Sequence, residues 1–550
     1  MADTDFDLII VGAGGAGLAA AAEASEAGAR VLLLEAGARA GGSTRLSGGV
    51  FWAAGTSLQR QAGIEDNPDD QFRYYMTINQ YKVDPALVRR YCDLSAPTFE
   101  WLVGLGAEFP PENLYVSGVD KLPRGHRAKR HGEDIADALE GALAGRNVDL
   151  ATHARVEDLV IGDGRARGVR VGGETVTAGA VVVTAGGFGN NRRMWAEHYP
   201  RAAAQGALAW YIGAQECRGD GIEMARRAGA EIVGHDRGLL LMTPGFAEDL
   251  EPYLPPWLMH VTHEGRRFID EATEYSVLSE VLGEQTAGEC FAIFDEPARA
   301  ASKAAPAPNW AADRLAHFAA SGKLAQADSL QELADRLGIR PGALVTTAER
   351  YSRDARAGLD SAFFKDARHL RPVDTPPFYG ARIRPAVVCW TGMGLRIDAE
   401  AQVLDMADRP IPGLFAAGET TGGFAGPCYA GGGASVGNAV IFGRVAGRNA
   451  ARLALGRAAA GAGGRAGLTR PRCFRFRMTR AAGCGPPFRR YAWPRASQRP
   501  CPARSSPPRR DRRRRRHWPD RCPPRRARGS ACRCDRARAH ADRWPAPCRR

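Results

Sequence analysis

The stretch "DLIIVGAGGAGLAAAAEASEAGARVLLLEAG" (residues 7–37) carries the pattern that indicates the fold class. Its first apolar run, Leu8–Val11, is typical of a buried parallel strand. Gly12, Gly14 and Gly17 form a GxGxxG turn, and the alanine-rich segment after them predicts a helix. A second apolar run ends the stretch. The pattern predicts a strand–turn–helix–strand unit, which is the beginning of an α/β domain with a parallel sheet.

A glycine turn of this kind is suited to a pyrophosphate group. The glycines provide a tight turn, space for the phosphates and close packing of helix on strand, and the helix N-terminus offers free N–H groups. Glu35 ends the second strand 18 residues after Gly17, where an acid that binds a ribose is expected. The sequence therefore predicts that the unit binds a dinucleotide, and NAD and FAD both fit this pattern.

The next stretch, "GGSTRLSGGVFWAAG" (41–55), favours one of the two. Gly41 and Gly42 allow close approach of the backbone to a ligand, and Ser43 and Thr44 offer hydroxyl groups. Here the chain resembles the flavoprotein superfamily of fumarate reductases, succinate dehydrogenases and 3-ketosteroid dehydrogenases. The resemblance implies that this segment lies along the FAD pyrophosphate and beside the flavin. Members with covalently attached flavin have a His in this segment, where this chain has Ser43, so we expect non-covalent FAD.

Two later segments resemble the same superfamily. "AGAVVVTAGGFGNN" (178–191) is similar to its second FAD signature, and "GLRIDAEAQVLDMADRPIPGLFAAGETTGGFAG" (394–426) to its third. Glu419 matches the acid that holds the FAD ribityl chain. The resemblance implies the following FAD-binding residues: Gly12, Gly14, Gly15, Ala16, Gly17, Glu35, Ala36, Gly42, Ser43, Thr44, Ser47, Gly48, Gly49, Val156, Ala185, Gly186, Gly187, Gly418, Glu419, Ser435 and Val436.

The resemblance covers about residues 5–453 and implies the domain organisation. We expect an α/β protein with a discontinuous Rossmann-like FAD-binding domain, formed by 1–235 and 368–456. An α+β capping domain, 236–367, is inserted between these pieces. It contains "THEGRRFIDEATEYSVLSE" (262–280), which is similar to the "GxRFxxE" segment that borders the substrate in the family.

The substrate cannot be assigned from the cofactor motifs, but two arginine positions are informative. Fumarate reductases have an Arg shortly after the "GxRFxxE" segment and a second one near the C-terminus, and both serve a dianionic substrate. This chain has Tyr275 and Tyr429 in those places. Burying two carboxylates without cationic partners costs several kcal/mol. The sequence therefore argues against fumarate as the substrate.

Tyrosines at those places are typical of 3-ketosteroid Δ1-dehydrogenases, whose C-terminal segment reads Tyr-Pro-Gly-Pro-Gly-Gly-Thr-Ile-Gly. Residues 429–437 of this chain read Tyr-Ala-Gly-Gly-Gly-Ala-Ser-Val-Gly. The resemblance implies that Tyr429 and the Gly433 amide hold a ketone oxygen, and that Tyr275 takes the α-proton. Tyr115 loosely matches a supporting tyrosine of the steroid enzymes.

The implied activity is that of an FAD-dependent oxidoreductase acting on CH–CH bonds, similar to 3-oxosteroid 1-dehydrogenase. It would perform α,β-dehydrogenation of a ketone-bearing, steroid-like substrate, or the reverse reduction of an enone, with an unknown electron acceptor. Tricarballylate dehydrogenases also have a Tyr before a glycine-rich stretch. An enzyme for unsaturated or polycarboxylic acids, similar to those or to fumarate reductases, therefore remains an alternative.

The stretch "RGHRAKRHGED" (124–134) leaves a further question open. His126, Arg127, Arg130 and His131 form either a solvated basic patch or a set of carboxylate ligands. The sequence favours the patch and does not exclude the ligands.

The charge of the chain is uneven. Residues 457–550 contain 29 Arg, 4 Asp and neither Lys nor Glu, so their net charge is +25. The whole chain has a net charge of +14, and the remaining residues therefore carry −11. This tail has Leu468 as its single aliphatic residue beyond Ala, so we expect it to be disordered. A GC-rich gene read out of frame explains its composition. A nucleic-acid-binding arm around "RRRRR" (512–516) and a metal module at its Cys and His residues are the alternatives, and we do not expect nucleic-acid binding.

Other features indicate a cytoplasmic protein without a membrane span. The chain starts with a strand rather than a basic and apolar leader, and no apolar run approaches the ~18 residues of a membrane helix. The five cysteines before the tail are widely spaced, which is not the pattern of a disulfide framework or a metal site.

Overall fold

The computed structural model describes residues 4–119, 121–248, 253–285, 288–305, 307–461 and 490–492. All of them fall within one unit, Met1–Arg495. Nearly all of the predicted tail, 457–550, lies outside the described residues, so the prediction of disorder stays a prediction.

The strands are β1 Phe6–Val11, β2 Val31–Leu34, β3 Val50–Trp52, β4 Leu114–Tyr115, β5 Gly125–Arg127, β6 Val148–Thr152, β7 Val156–Gly162, β8 Arg165–Val171, β9 Glu174–Val183, β10 Trp210–Tyr211, β11 Ile232–Val233, β12 Gly238–Thr243, β13 Met259–Val261, β14 Cys290–Asp295, β15 Ala325–Ala327, β16 Phe378–Thr391, β17 Gly394–Leu395, β18 Gln402–Leu404, β19 Pro410–Ala416 and β20 Arg490–Ala492. The α-helices are α1 Gly15–Glu26, α2 Gly42–Leu46, α3 Ser57–Gln61, α4 Pro68–Ile78, α5 Pro85–Gly104, α6 Gly132–Gly141, α7 Arg192–His198, α8 Pro200–Ala203, α9 Asp220–Arg227, α10 Tyr275–Gly283, α11 Glu296–Ala300, α12 Ala312–Ala320, α13 Leu330–Leu337, α14 Pro341–Ala357 and α15 Ala434–Gly461. Short 3₁₀ helices lie at Pro111–Asn113, Gly206–Leu208, Pro308–Trp310, Ala367–His369 and Gly418–Thr420.

The largest sheet has the strand order β18-β19-β9-β1-β2-β6-β20, with the β7–β8 hairpin attached to β9. Strands β19, β9, β1, β2 and β6 run parallel to one another, and Leu8 of β1 pairs with Val31 on one side and Ala180 on the other. The strand β1 is buried over Leu8–Val11, as its apolar run predicts. The carboxyl ends of these strands therefore meet at one edge, which is where parallel sheets place their ligands.

Helix α15 packs closely against α1, and two glycines allow the approach. A Cβ atom at Gly443 would lie 2.4 Å from the Ala16 carbonyl oxygen, and one at Gly447 would lie 2.2 Å from that of Ala20. Only glycine fits at such distances. The packing fixes the start of α15 beside the β1–α1 turn, so the first and last parts of the described chain meet at the same place.

A second sheet is built around the long strand β16. Its order is β10-β16-β14-β13, and β12 and β15 also pair with β16. Three apolar clusters pack around this sheet, among them one centred on Trp310 and Phe294. The sheet contains strands from both sides of the predicted domain borders at 235 and 368, and the division into FAD-binding and capping domains remains a prediction.

No helix among the described residues is long and apolar enough to cross a membrane.

Candidate active site

A cavity of about 470 Å³ opens at the carboxyl edge of the large sheet. Its wall is formed by the β1–α1 turn, by α2, by residues from β4 and β5, by the end of β16 and by the glycine-rich run before α15. The cavity therefore joins segments that are more than 400 residues apart in the sequence.

The turn between β1 and α1 is shaped for a phosphate. Gly12 has φ +100°, and a Cβ there would lie 2.5 Å from the Thr184 carbonyl oxygen, so this position requires glycine. A Cβ at Gly14 would meet nothing within 4 Å, which shows open space in front of the turn. No side chain caps the N-terminus of α1. Its first-turn amides are therefore available to a phosphate group.

Glu35 lies at the end of β2 and is 7% exposed. Its carboxylate accepts hydrogen bonds from the Ala13 amide at 2.8 Å and the Gly37 amide at 2.7 Å. Burial nevertheless raises the pKa of Glu35. Hydrogen-bond donors in the adjoining cavity, such as the hydroxyls of a ribose, would stabilise its charged form.

Glu419 occupies the other side of the cavity, in the turn after β19. Its Oε1 accepts hydrogen bonds from the amide and the hydroxyl of Thr391 at 2.9 and 2.7 Å. Burial raises the pKa of this carboxyl as well. Two buried acids thus face one cavity, which suits a ligand rich in hydroxyl groups.

Most of the predicted cofactor residues line this cavity. They are Gly12, Gly14, Gly15, Ala16, Glu35, Ala36, Gly42, Ser43, Thr44, Ser47, Gly48, Gly49, Val156, Ala185, Gly186, Gly418, Glu419, Ser435 and Val436.

The exceptions are Gly17 and Gly187, which lie behind the cavity wall. A Cβ at Gly17 would lie 1.9 Å from the Gly12 carbonyl oxygen, so this glycine lets α1 pack on the turn. A Cβ at Gly187 would lie 2.0 Å from Thr391 Oγ1 and 2.5 Å from Glu419 Oε1. Both glycines allow close packing of the backbone around the site, and their direct contact with a cofactor stays a prediction.

The four predicted catalytic residues also line the cavity. These are Tyr115, Tyr275, Tyr429 and Gly433. A Cβ at Gly432 would lie 2.9 Å from Tyr115 Oη and 3.9 Å from Tyr275 Oη, so both phenols point at the glycine run. The rings of Tyr275 and Tyr429 are 6.5 Å apart.

The Tyr429 hydroxyl is held by the first turn of α15. It accepts a hydrogen bond from the Ser435 amide at 3.0 Å and lies 3.0 Å from Ser435 Oγ. Burial raises the pKa of Tyr429, while the hydrogen bonds from Ser435 and the Gly433 amide oppose this shift. The Ser435 amide occupies one lone pair of the phenol oxygen, and Ser435 Oγ is placed either to donate to that oxygen or to accept the phenol hydrogen. When Ser435 Oγ is the donor, the phenol hydrogen is free for an acceptor in the cavity.

Tyr275 begins α10 and is surrounded by other aromatic and acidic groups. Burial raises the pKa of its phenol well above 10, and the nearby Glu274 adds to the shift. Glu274 caps the helix through Ser276, and burial raises the pKa of its carboxyl to about 7. The Ser276 hydroxyl in turn donates to the Tyr429 carbonyl oxygen at 2.9 Å. Tyr275 is therefore tied to the loop that carries Tyr429.

Sequence reasoning missed two aromatic residues of the site. Tyr253 packs edge-on against Tyr275 with ring centroids 5.4 Å apart, and Trp390, at the end of β16, packs in the same way against Tyr429 at 5.6 Å. Both line the cavity. Neither has a motif around it, so the sequence held no signal for them.

The basic stretch 124–134 divides into different environments. His126 is fully buried and its Nε2 lies 2.8 Å from Thr56 Oγ1, so the interpretation as a solvated patch is wrong for this residue. Burial lowers its pKa to about 4. Arg130 is exposed and pairs with Asp134 and Asp137, whereas Arg127 and His131 line the cavity.

Residues 7–436 match the FAD binding domain family, so the chain belongs to this family. Within it, the chain is an FAD-dependent oxidoreductase of the superfamily that includes fumarate reductases and 3-ketosteroid dehydrogenases, as the motifs predicted. FAD is its cofactor, and the fold is the α/β flavoprotein fold of the ketosteroid dehydrogenases.

Three known proteins illustrate the range of relatives. Urocanate reductase of Eggerthella lenta is 32% identical over 470 residues, which are 82% of this chain and 75% of that protein. A probable fumarate reductase of Shewanella frigidimarina is 30% identical over 468 residues, with the same coverage. The structure of 3-ketosteroid-Δ4-(5α)-dehydrogenase from Rhodococcus jostii, in complex with 4-androstene-3,17-dione, has a TM-score of 0.69 at 27% identity and covers 82% of this chain and 98% of that one.

The residues of the cavity fit FAD. The uncapped N-terminus of α1 and the open space before Gly14 suit a pyrophosphate. The buried carboxylates of Glu35 and Glu419 suit ribose and ribityl hydroxyls, because further donors would stabilise their charged forms against the effect of burial.

Proposed function

We propose that the protein catalyses the α,β-dehydrogenation of a ketone-bearing, steroid-like substrate, or the reverse reduction of an enone. The observation that supports it best is the Tyr429 hydroxyl. It is fixed by the Ser435 amide beside Gly433 and faces a cavity in which the phenols of Tyr115 and Tyr275 also converge. Such an arrangement suits a neutral, polarisable oxygen such as that of a ketone.

The proposed role of Tyr429 and Gly433 is to hold the ketone oxygen. In the structure the Gly433 N–H is directed at Tyr429 Oη, so the proposal requires it to turn to the ketone oxygen when substrate binds. The phenol hydrogen and this N–H are then two donors for one acceptor, and both hydrogen bonds strengthen as negative charge develops on that oxygen. Loss of the α-proton produces this charge. The N-terminus of α15, which starts one residue after Gly433, adds a positive dipole end on the same side.

The proposed role of Tyr275 is to accept the substrate's α-proton on its Oη during dehydrogenation and to donate a proton from the same atom during reduction. Bound FAD supplies a two-electron acceptor for the hydride that leaves the β-carbon. In the reductive direction, a neutral phenol at Tyr275 is already the proton donor. In the oxidative direction it must first be ionised, and its raised pKa makes this form scarce at neutral pH.

The relatives support the chemistry more than the substrate. The Rhodococcus jostii enzyme was solved with a diketone, whereas the relatives at 30% identity or more include reductases of unsaturated acids. A dicarboxylate requires at least two cationic partners. Tyr115, Tyr275 and Tyr429 line one part of this cavity, its phenol end. Of the three arginines that line the cavity among the described residues, Arg127 is the one that stacks on these phenols, and a single arginine there favours the ketone.

Anaerobic addition of candidate substrates to the purified protein tests the proposal. Saturated ketones should bleach the flavin absorbance, and enones should restore it after chemical reduction. Reoxidation by fumarate or another unsaturated diacid, with no response to ketones or enones, would reject the proposal. Denaturation should release the FAD, because we propose that Ser43 stands where a covalent link would form.

A further inference from the structure

Arg127 stands out among the charged groups of the cavity. The arginines that line it, among the described residues, are Arg39, Arg127 and Arg155. Arg39 pairs with Asp137, and Arg155 pairs with Asp220. No carboxylate of the described residues lies within ion-pair distance of Arg127. Its guanidinium instead stacks on the Tyr115 ring, 4.9 Å from the centroid.

The small sheet β3-β5-β4 explains how Arg127 reaches this place. Gly125 pairs with Tyr115, and side chains two residues apart on a strand share a face, so Arg127 and Tyr115 lie on the same face. A Cβ at Gly125 would lie 2.8 Å from the Tyr115 ring. The glycine therefore makes room for the ring on which the guanidinium rests. Tyr115, Gly125 and Arg127 of this sheet therefore together determine where the guanidinium lies.

This place belongs to the phenol end of the cavity. Tyr115 Oη approaches Gly432, as Tyr275 Oη does, while the ring of the same tyrosine carries Arg127. Burial raises the pKa of Tyr253, which packs on Tyr275, and the charge of the nearby Arg127 opposes part of this shift. The turn that suits the pyrophosphate is formed by other residues. A half-buried guanidinium that has no acid partner among the residues the structure describes can bind an anionic ligand, and a carboxylate fits its planar fork.

We propose that the substrate is a keto acid: the ketone binds at Tyr429, and a carboxylate carried elsewhere on the same molecule binds Arg127. This proposal rests on the proposed function and narrows its substrate class. The carboxylate takes no part in the reaction and fixes the orientation of the ring that bears the ketone. One carboxylate is bound in this way, which separates the substrate from the dianions of the fumarate reductases.

Two matched pairs of compounds test the proposal on the full-length holoenzyme. One is a 3-keto-4-ene steroid with a carboxylic acid on its D ring, together with the methyl ester of this acid. The other is a cyclohexenone with an acetic acid side chain, together with its methyl ester. The measurement is kcat/KM for each compound, with an artificial dye as the electron acceptor or, for reduction, with chemically reduced flavin.

We expect the acid of at least one pair to exceed its ester by about 10- to 100-fold in kcat/KM, the range of a charge-assisted hydrogen bond. Arg127→Gln should remove this preference and retain FAD. Arg127→Lys should keep part of it. Arg130→Gln is the matched control, since Arg130 is exposed and pairs with Asp134 and Asp137, and it should leave the preference intact.

Two results would overturn the proposal while leaving the ketone chemistry in place. One is an equal kcat/KM for acid and ester in both pairs, a result that is measured on the protein without any substitution. The other is loss of FAD in Arg127→Gln, which would assign the arginine to the cofactor. A different result, reaction with unsaturated acids but with no ketone or enone of either pair, would reject the proposed function itself.

Discussion

The phenol of Tyr275 is the residue whose chemistry depends most on its surroundings. Burial and the neighbouring Glu274 raise its pKa, so at neutral pH it is a proton donor and only rarely a base. The two directions of the proposed reaction therefore require different protonation states of the same side chain. The free protein favours the state that reduction needs.

We expect the dehydrogenation rate to rise with pH above about pH 8, because the ionised fraction of a group grows tenfold per pH unit below its pKa. The reverse reduction should stay level in this range, since the phenol remains protonated. Glu274, with a pKa of about 7, is already ionised there. Measurement of kcat in both directions against pH checks the expectation.

Tyr275→Phe should lower dehydrogenation by about 10²–10⁴-fold and abolish its rise with pH, because the positioned proton acceptor is lost. Tyr379→Phe is the control, since that phenol donates to Glu296 away from the cavity. An unchanged pH profile in Tyr275→Phe would assign proton transfer to another group.

Tyr429→Phe removes one of the two proposed donors to the ketone oxygen. The expected loss is about 10²–10³-fold in kcat, with weaker binding of ketones and unchanged FAD content. Steady-state kinetics together with the flavin absorbance of the purified variant measure these effects. Full activity towards a ketone would show that Tyr429 only supports the start of α15.

Among individual residues, the sequence predicted those site residues that lie within a recognisable motif. Tyr429 and Gly433 lie in a nine-residue run that could be matched to relatives, and they line the cavity. Tyr253 lies in the cavity wall because of the course of a loop, and Trp390 because of the course of a long strand. No local sequence pattern predicts the course of either segment. The burial of His126 was not predictable for the same reason, because its charged sequence neighbours indicate an exposed segment, whereas its side chain is fully buried in the structure.

The β1–α1 turn is the element on which cofactor binding depends. Gly12 and Gly28 both have positive φ, +100° and +89°, so alanine at either costs about 1–2 kcal/mol in backbone strain. Only at Gly12 would the new Cβ also collide, at 2.5 Å from the Thr184 carbonyl oxygen, whereas at Gly28 it would meet nothing within 4 Å.

Gly12→Ala should therefore lose FAD and unfold at a clearly lower temperature, and Gly28→Ala should keep FAD with a small decrease in Tm. The ratio of flavin to protein after purification and a thermal melt check both variants. Equal effects of the two substitutions would show that strain alone, and not the collision, matters at Gly12.

The elements were predictable in proportion to their length and periodicity. The apolar runs at the start of the chain predicted β1 and β2, which the structure has at Phe6–Val11 and Val31–Leu34. The β3-β5-β4 sheet was not predicted, because strands of two or three residues show no alternation. Its pairing is stabilised by surrounding side chains such as Trp52 and Tyr91, whose hydroxyl donates to the Trp52 carbonyl oxygen at 2.7 Å.

For the whole molecule, the uneven charge predicts a change of behaviour on truncation. A protein that ends at Gly456 loses a segment with a net charge of +25 and keeps a net charge of −11. The full-length protein should therefore bind heparin, whereas the truncated protein should bind an anion exchanger instead. We expect FAD content and turnover to be unchanged, because every cavity residue in the described part of the chain lies before that position. Loss of turnover with FAD still bound would give residues 457–550 a role in the reaction.

The long strand β16 has a mechanical consequence for the molecule. It pairs with β14 and β15 in its first half and with β12 and β10 in its second, and its end carries Trp390 into the cavity. A displacement of β14 that widened the cavity would also displace the second half of β16, because both halves belong to one continuous strand. The two register shifts between β12 and β16, at Leu239/Leu240 and Leu241/Met242, are the points where it can bend most easily. Amide hydrogen exchange there would measure how often the pairing of β12 with β16 opens.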